Sequence, residues 1–294
     1  MFPLDLVRLT ALMARSEGRA DVAIALIDGP VALDHPELSG AIIREIPGTL
    51  SGSCSRADTV ACMHGTFVAG VLSARRGSAA PAICPRCTLL LRPIFAEAAD
   101  GHAGMPSATP QELAEAIIES VDAGARVINL SSALPRPSPR EETQLERALS
   151  YAARRGVITV AAAGNQGTVG SSVITRHPWV IPVAACNTQG QPLGESNLGS
   201  SIGRRGLSAP GEKITSLGTS GKPQTSGGTS AAAPFVTGAI GLLWSEFPAA
   251  TAAQVKLAVT RSGRQPQRRL VPPLLDAWGA YQLMASARDP AENR

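Results

Sequence analysis

Three side chains of the types used in nucleophilic catalysis stand far apart in this 294-residue chain, in the order Asp28, His64 and Ser230. A serine hydroxyl becomes a nucleophile when a histidine takes its proton and an acidic residue orients that histidine. Each side chain also has a plain structural interpretation. The aspartate can form a turn, the histidine can cap a helix, and the serine can pack at a helix start. It is the combination that points to catalysis.

The predicted elements place these residues at strand ends and helix starts. Asp28 follows the apolar run 22–27, which is typical of a strand buried on both faces, and Asn165 follows a strand at 157–161. His64 stands at the start of a helix at 66–75, and Ser230 begins a long apolar helix at 229–247. Further strands are predicted at 42–43, 88–95, 126–131 and 180–185, and further helices at 4–15, 110–123, 141–155, 251–260 and 274–285.

Strands that alternate with helices predict an α/β fold, with a mostly parallel central sheet and helices on both faces. In such sheets, functional sites form beyond the carboxyl ends of the strands, where Asp28 and Asn165 stand. No break in composition divides the chain. We therefore expect one domain over 21–287, an N-terminal helix within 1–20 that packs on it, and a flexible tail at 288–294.

Composition and charge exclude several classes of protein. Hydrophobic residues make up 44% of the chain, which is ample for a packed core and excludes extensive disorder. Aromatic residues make up 3%, the net charge is +4 and the basic residues are scattered, so we expect no nucleic-acid partner. No apolar run reaches the roughly 18 residues of a membrane span. Asp5 and Arg8 interrupt the N-terminus where a signal peptide would be apolar.

Six short segments match the pattern of one enzyme family, in the family's order along the chain. They are ALIDG at 25–29, HGTFVAG at 64–70, VINLS at 127–131, AAAGN at 161–165, APG at 209–211 and GTSAAAP at 228–234. In these segments the chain resembles the subtilisin-like serine proteases, or subtilases, over nearly its whole length. The resemblance implies the subtilisin-like three-layer α/β fold and hydrolysis of peptide bonds without a cofactor.

The resemblance also implies a role for each matching residue. Ser230 would be the nucleophile, and His64 would take its proton and pass it to the leaving amine. Asp28 would orient His64 and stabilise its charged form. The side-chain amide of Asn165 and the backbone N–H of Ser230 would form the oxyanion hole.

The substrate that the resemblance implies is a peptide bound as an extended strand. It would pair with an edge strand and its continuation, formed by Leu130, Ser131, Ser132 and Ala133. The opposite wall of the pocket for the residue before the cut would be formed by Ala162, Ala163 and Gly164. These residues are small and uncharged, so the pocket should accept an uncharged side chain.

Four features depart from the family pattern. Gly29 follows Asp28 where a hydroxyl residue is usual, and Phe67 replaces a second histidine. Ala133 stands where glycine is usual, which narrows the expected substrate groove. The stretch 75–82 replaces the calcium loop of many secreted relatives and offers almost no oxygen ligands, so we expect no metal there.

The segments DGPV at 28–31 and RPIF at 92–95 resemble a narrower group. These are the short cytoplasmic proteases that mature ribosomally made peptides, as in cyanobactin biosynthesis, so the expected activity is trimming of a precursor peptide. Two alternatives stay open. A macrocyclase of the same fold would join the cut ends, although the spacing of the motifs leaves little room for the inserted lid associated with that activity. A catalytically inactive relative would only bind the peptide.

Few residues precede Asp28, fewer than the signal peptide and folding prodomain of secreted subtilases need. We therefore expect a protein that folds without a prodomain and works in the cytoplasm. Separately, we expect a monomer.

Cys54, Cys62, Cys84 and Cys87 lie close together in the sequence, and the last two form a C-x-x-C motif. A four-cysteine zinc site is one interpretation, but the helix after His64 would separate the two pairs. Two local pairs are favoured, Cys54 with Cys62 and Cys84 with Cys87, each as a disulfide or as thiols. Thiols are the default in a reducing cytoplasm. A Cys54–Cys62 bond would brace the loop before His64 and could make activity redox-sensitive.

Overall fold

The centre of the computed structural model, which describes residues 2–97, 108–131, 143–262 and 270–288, is a parallel sheet. Its seven strands lie side by side in the order β2-β3-β1-β4-β5-β6-β7, and every neighbouring pair is parallel. A separate antiparallel hairpin is formed by β8 and β9. The strands are β1 (Ala23–Asp28), β2 (Ile42–Glu45), β3 (Thr88–Pro93), β4 (Val127–Leu130), β5 (Ile158–Ala162), β6 (Ile181–Cys186), β7 (Leu207–Pro210), β8 (Ile214–Leu217) and β9 (Pro223–Ser226).

Helices cover both faces of the sheet, which confirms the predicted α/β architecture. The helices are α1 (Pro3–Leu6), α2 (Leu9–Met13), α3 (Val60–Ser73), α4 (Pro110–Asp122), α5 (Thr143–Arg154), α6 (Val173–Arg176), α7 (Ser200–Arg205), α8 (Thr229–Glu246), α9 (Ala252–Arg261) and α10 (Ala277–Arg288). The two central helices α3 and α8 pack on one face, and α4 and α5 pack on the other. Within the described ranges, no helix has the length and apolar content that crossing a membrane requires.

Strand β1 lies in the middle of the sheet and explains why its sequence is apolar throughout. Ile24 and Leu26 point into the core beneath α3 and α8, whereas Ala25 and Ile27 point into the core beneath α4 and α5. Both faces are therefore buried, as is usual for parallel strands. The chain continues to β3 on one side of β1 and to β4 on the other, so Asp28 ends the strand at which the topology switches direction. Such switch points are where parallel sheets form their sites.

The N-terminal segment differs from the single helix predicted over 4–15. The structure has the two short helices α1 and α2, separated at Arg8, whose φ of 54° breaks the helix. The break allows Arg8 to donate to Asp276 at 2.9 Å, while the Val7 carbonyl accepts from the Ala277 N–H at 3.0 Å. A continuous helix could not make both contacts with the start of α10. The segment docks through them, and Leu9 is fully buried.

Helix α3 begins earlier than the predicted residue 66, so His64 lies inside the helix and not at its start. The side chain of Thr59 caps the helix by accepting from the Cys62 N–H at 3.2 Å. Such a cap satisfies one of the orphan N–H groups of a first turn, and it sets the start at Val60. The predicted tail 288–294 lies outside the described residues except for Arg288, which ends α10.

Candidate active site

Asp28 and His64 form the one direct contact between predicted catalytic side chains that the structure shows in its described part. Asp28 is fully buried at the end of β1, and its Oδ1 lies 2.6 Å from His64 Nδ1 and 2.7 Å from the Gly29 N–H. A carboxylate only accepts hydrogen bonds, so His64 Nδ1 carries the proton that is shared with Asp28. In the neutral form of the ring, the other nitrogen, Nε2, therefore has a free lone pair, which is the requirement for a general base.

The electrostatics of the pair favour a charged imidazole. Burial of the ring acts against its charge, but the carboxylate of Asp28 outweighs it through its charge and its hydrogen bond. The net result is that the pKa of His64 is raised above its usual value of 6.5. The arrangement stabilises the imidazolium that forms when the histidine accepts a proton.

Two glycines allow helix α3 to approach the end of β1 closely enough for this contact. A Cβ on Gly29 would lie 2.1 Å from the carbonyl oxygen of Ala61, and a Cβ on Gly65 would lie 2.3 Å from the carbonyl oxygen of Pro30. The hydroxyl residue that is usual after the catalytic aspartate of the family therefore has no room here. Asp28 Oδ2 is buried and has no hydrogen-bond partner among the described residues.

Asn165 and the start of α8 form the second part of the site. Asn165 Oδ1 accepts from the Thr229 N–H at 2.8 Å and from Thr229 Oγ1 at 3.0 Å. Since both bonds end on the oxygen, the amide orientation is set, and Nδ2 remains free to donate elsewhere. Ser230 follows Thr229 in the first turn of α8 and is 9% exposed. Gly228 has a φ of 92°, and a Cβ there would lie 2.8 Å from Asn165 Nδ2.

The predicted substrate-binding residues divide into three groups. Ala162, Ala163 and Gly164 are buried at the end of β5, directly before Asn165, and Ser131 is 5% exposed directly after β4. Ser132 and Ala133 lie outside the described residues. The prediction that Leu130 lies in an edge strand is wrong, because β4 has a neighbouring strand on both sides. Leu130 is paired with Ile27 of β1 and with Ala161 of β5, so it cannot belong to an edge strand that binds a peptide.

A buried polar network links Ser131 to α8 and was missed by sequence reasoning. Asn129 is fully buried, donates from Nδ2 to Ser131 Oγ at 2.8 Å and accepts from Thr237 Oγ1 at 2.8 Å. Burying an amide in the middle of a sheet is favourable only when its hydrogen bonds are made. The one signal in the sequence was a polar residue within an otherwise apolar strand.

The cysteines form one disulfide, between Cys54 and Cys62. Cys84 and Cys87 are buried free thiols, as is Cys186. Within the described part of the chain, a single group has the spacing of metal ligands: the two disulfide sulfurs and the Glu97 carboxylate, within 4.8 Å of one another. The two sulfurs of this group are bonded to each other in the disulfide. The four cysteines considered above as zinc ligands do not form such a group in the described part of the chain.

Glu97 holds the loop that the disulfide closes. Its carboxylate accepts from the Ser55 N–H at 2.9 Å, from Ser55 Oγ at 2.6 Å and from the Arg56 N–H at 2.9 Å. Partial burial opposes the charge of the carboxylate, but these donors outweigh it and lower the pKa of Glu97. Cys62 stands two residues before His64 in α3, so the disulfide and Glu97 together join this loop to the helix that carries the histidine.

A parallel α/β sheet with an acid–histidine pair at a central strand end and a serine in the first turn of a buried helix is characteristic of serine-nucleophile hydrolases. Residues 19–274 match the model of the subtilase family, and the chain belongs to that family. A thermophilic serine proteinase of Bacillus sp. (strain AK1) is 32% identical over 241 residues, which are 79% of this chain and 54% of that one. The chain thus spans about half the length of that relative, and 64% of the length of a matching subtilisin.

Solved structures of peptide-maturation proteases have the same fold over almost their whole length. A serine-to-alanine variant of the protease domain of PatA has a TM-score of 0.84 at 31% identity, covering 92% of this chain and 97% of that one. The prenylagaramide maturation protease PagA has a TM-score of 0.80 at 28% identity, covering 93% and 98%. The PatG macrocyclase with a bound peptide has a TM-score of 0.82 at 20% identity, covering 94% and 95%, a likeness of fold alone.

Proposed function

We propose that this chain is a serine endopeptidase in which Asp28, His64 and Ser230 act as the catalytic triad. The observation that carries the proposal is the 2.6 Å contact between Asp28 Oδ1 and His64 Nδ1, which leaves Nε2 as the basic nitrogen. Helices α3 and α8, which carry His64 and Ser230, pack against each other over the same face of the sheet. Catalytic hydrogen bonds to the serine tighten when substrate binds.

In the proposed reaction, the Ser230 hydroxyl attacks the peptide carbonyl carbon and His64 Nε2 takes its proton. The C–N bond then breaks, and the same proton passes to the leaving amine. Water, activated in turn by His64, hydrolyses the ester and restores the serine. Asn165 Nδ2 and the Ser230 backbone N–H stabilise the negative oxygen of each tetrahedral intermediate. The bonds from Thr229 to Asn165 Oδ1 support this role, since they leave Nδ2 as the outward donor.

The proposed substrate is an unfolded segment of a precursor peptide, bound as an extended strand. Supporting this choice, PatA and PagA are described as maturation proteases for patellamide and prenylagaramide. We propose that Ser131, Ser132 and Ala133 pair with the peptide, and that Ala162, Ala163 and Gly164 line the pocket for the residue before the cut. Side chains this small bring the peptide backbone close to Ser230 and leave room for an uncharged side chain.

We further propose a monomeric peptidase domain over 21–287 on which residues 1–20 pack, without nucleic-acid or membrane partners. The cytoplasm remains the proposed location, although a Cys54–Cys62 disulfide is unusual in that compartment. Alkylation of thiols in intact cells, followed by mass spectrometry of the purified chain, tests the location, because a pair kept reduced in the cytoplasm would be alkylated there and would form the disulfide only in the oxidised, purified protein. A fully oxidised Cys54–Cys62 pair in freshly lysed cells would argue against a cytoplasmic location.

The experiment that tests the function uses a synthetic unstructured peptide with uncharged residues at the cut. We expect the protein to yield two linear fragments by mass spectrometry and Ser230→Ala to yield none. A cyclic product would establish the macrocyclase alternative. A wild-type protein that binds the peptide without cutting it, as Ser230→Ala does, would establish the inactive scaffold.

A further inference from the structure

Asn165 lies on an exposed loop, although its proposed role requires an accurately placed amide. Asn165, Gln166, Gly167 and Thr168 are all exposed after the end of β5. Exposed loops are ordinarily the mobile part of a fold. The contacts of Asn165 Oδ1 with Thr229 hold the tip of the side chain, but they do not hold the backbone from which it projects.

Asn197, thirty-odd residues further along the chain, holds that backbone on both sides of Asn165. Its Oδ1 accepts from the Gln166 N–H at 3.1 Å, from the Thr168 N–H at 3.0 Å and from Thr168 Oγ1 at 3.0 Å. Its Nδ2 donates to the Ala163 carbonyl at 3.1 Å and to Gln166 Oε1 at 2.7 Å. All the hydrogen-bonding capacity of one amide is therefore directed at residues that flank Asn165.

The backbone around Asn197 continues the same contact. The Asn197 N–H donates to the Gly164 carbonyl at 2.8 Å, and the Leu198 N–H donates to the Thr168 carbonyl at 3.0 Å. The Gly167 N–H donates to the Glu195 carbonyl at 2.8 Å. The segment 195–198 thus lies along the loop 164–168 and is hydrogen-bonded to its backbone. Within this segment, the side chain of Asn197 contacts residues both before and after Asn165.

We propose that Asn197 is a positioning residue for the oxyanion hole, fixing the loop from which Asn165 projects without touching Asn165 itself. The inference rests on the proposed function of Asn165. Asn197, which lies outside all six family segments found in the sequence, would then determine how accurately the Asn165 amide is placed. Because Asn197 also holds the carbonyls of Ala163 and Gly164, the pocket wall is held by the same residue.

The test is the rate at which a fluorophosphonate labels Ser230 in the full-length protein. Labelling forms the Ser230 Oγ–P bond and breaks the P–F bond, with the hydroxyl proton passing to His64 and fluoride leaving. The phosphoryl oxygen takes the place of the oxyanion, so the rate reports the placement of Asn165. Asn197→Ala, Asn165→Ala and the double variant form a double-mutant cycle.

We expect Asn197→Ala to slow labelling by about ten- to a hundredfold, since a 1 Å misplacement costs on the order of a hundredfold in rate. In the Asn165→Ala background the same substitution should change the rate by no more than about twofold, because the amide it positions is gone. Asn197→Asp retains the three acceptor contacts of Oδ1 and should lie between wild type and Asn197→Ala. It also provides the cycle if the alanine variant does not fold.

The chain supplies a matched control. Asn187 is a half-buried asparagine whose Oδ1 likewise accepts two backbone N–H groups, from Gln189 at 3.0 Å and Gln191 at 3.0 Å. None of its hydrogen bonds reaches residues 163–170. Asn187→Ala should lower the midpoint of urea unfolding by an amount similar to that for Asn197→Ala and leave the labelling rate unchanged.

Three results would overturn the role of Asn197. The first is that Asn197→Ala slows labelling equally in the wild-type and the Asn165→Ala backgrounds. The second is that the Asn197→Ala protein is labelled at a rate within about twofold of wild type. The third is that Asn187→Ala slows labelling as much as Asn197→Ala does. A wild-type protein that fluorophosphonate does not label would instead refute the proposed function, so the two failures are distinguishable.

Discussion

Reduction of the Cys54–Cys62 disulfide should destabilise the fold by an amount that follows from its small loop. The cysteines are 8 positions apart in the sequence, and closing a loop of that length removes about 2.5 kcal/mol of chain entropy from the unfolded state. For a domain of this size, roughly 2–4 °C of melting temperature corresponds to each kcal/mol, so the melting temperature should fall by roughly 5–10 °C.

The assay compares thermal unfolding with and without dithiothreitol, alongside thiol titration in denaturant. We expect three titratable thiols before reduction, from Cys84, Cys87 and Cys186, because the remaining two cysteines are bonded. The matched control is the double variant Cys54→Ser/Cys62→Ser, which should melt like the reduced wild type and be insensitive to reductant. Five thiols in the untreated protein, or an equal effect of reductant on the double variant, would refute the reasoning.

Three further predictions concern the catalytic pair and its packing. The labelling rate should increase as the pH rises through the pKa of His64, which lies above 6.5, because only the neutral ring is a base. The stability that the charged pair contributes is complete below pH 6.5 and is lost over the same rise in pH. An inflection of the labelling rate below pH 6.5 would contradict this prediction. Asp28→Asn should slow labelling by up to about 10⁴-fold and shift its inflection to lower pH, and a retained inflection would count against the pairing. Gly29→Ala should lower the free energy of unfolding in urea by about 1–3 kcal/mol, since the added Cβ would lie 2.1 Å from a carbonyl oxygen of α3. Gly40→Ala is the neutral control, because its Cβ would have no atom within 4 Å. Equal effects of the two substitutions would refute the close packing at Gly29.

The sheet and its helices were largely predictable because their signals are local. The apolar run before Asp28 indicated a strand buried on both faces, and the helix predicted at 110–123 corresponds to α4, whose start the structure fixes with a capping box at Thr109. The break at Arg8 was not predictable, since the cause is a contact with Asp276, far away in the sequence. Strand β7 and the hairpin of β8 and β9 were missed because these segments are short and weakly patterned.

The candidate site divides in the same way. Asp28 and Asn165 were proposed as site residues because they lie in recognisable motifs, whereas the residues that contact and support them could not be predicted. Asn197 contacts the loop of Asn165 only after the chain has folded back, so nothing near it in the sequence signals its contacts. Leu130 was assigned to a sheet edge because its motif carries no information about which strands flank it; β1 and β5 occupy both sides.

The central claim is that Ser230 is a nucleophile activated by His64 and Asp28. Its most direct measurement is the mass of the protein after exposure to a fluorophosphonate, with the modified residue located by peptide mapping. We expect one adduct per chain, on Ser230, formed by the wild type and absent from Ser230→Ala. An adduct on another residue, labelling that persists in Ser230→Ala, or a folded wild-type protein that acquires no adduct would contradict it.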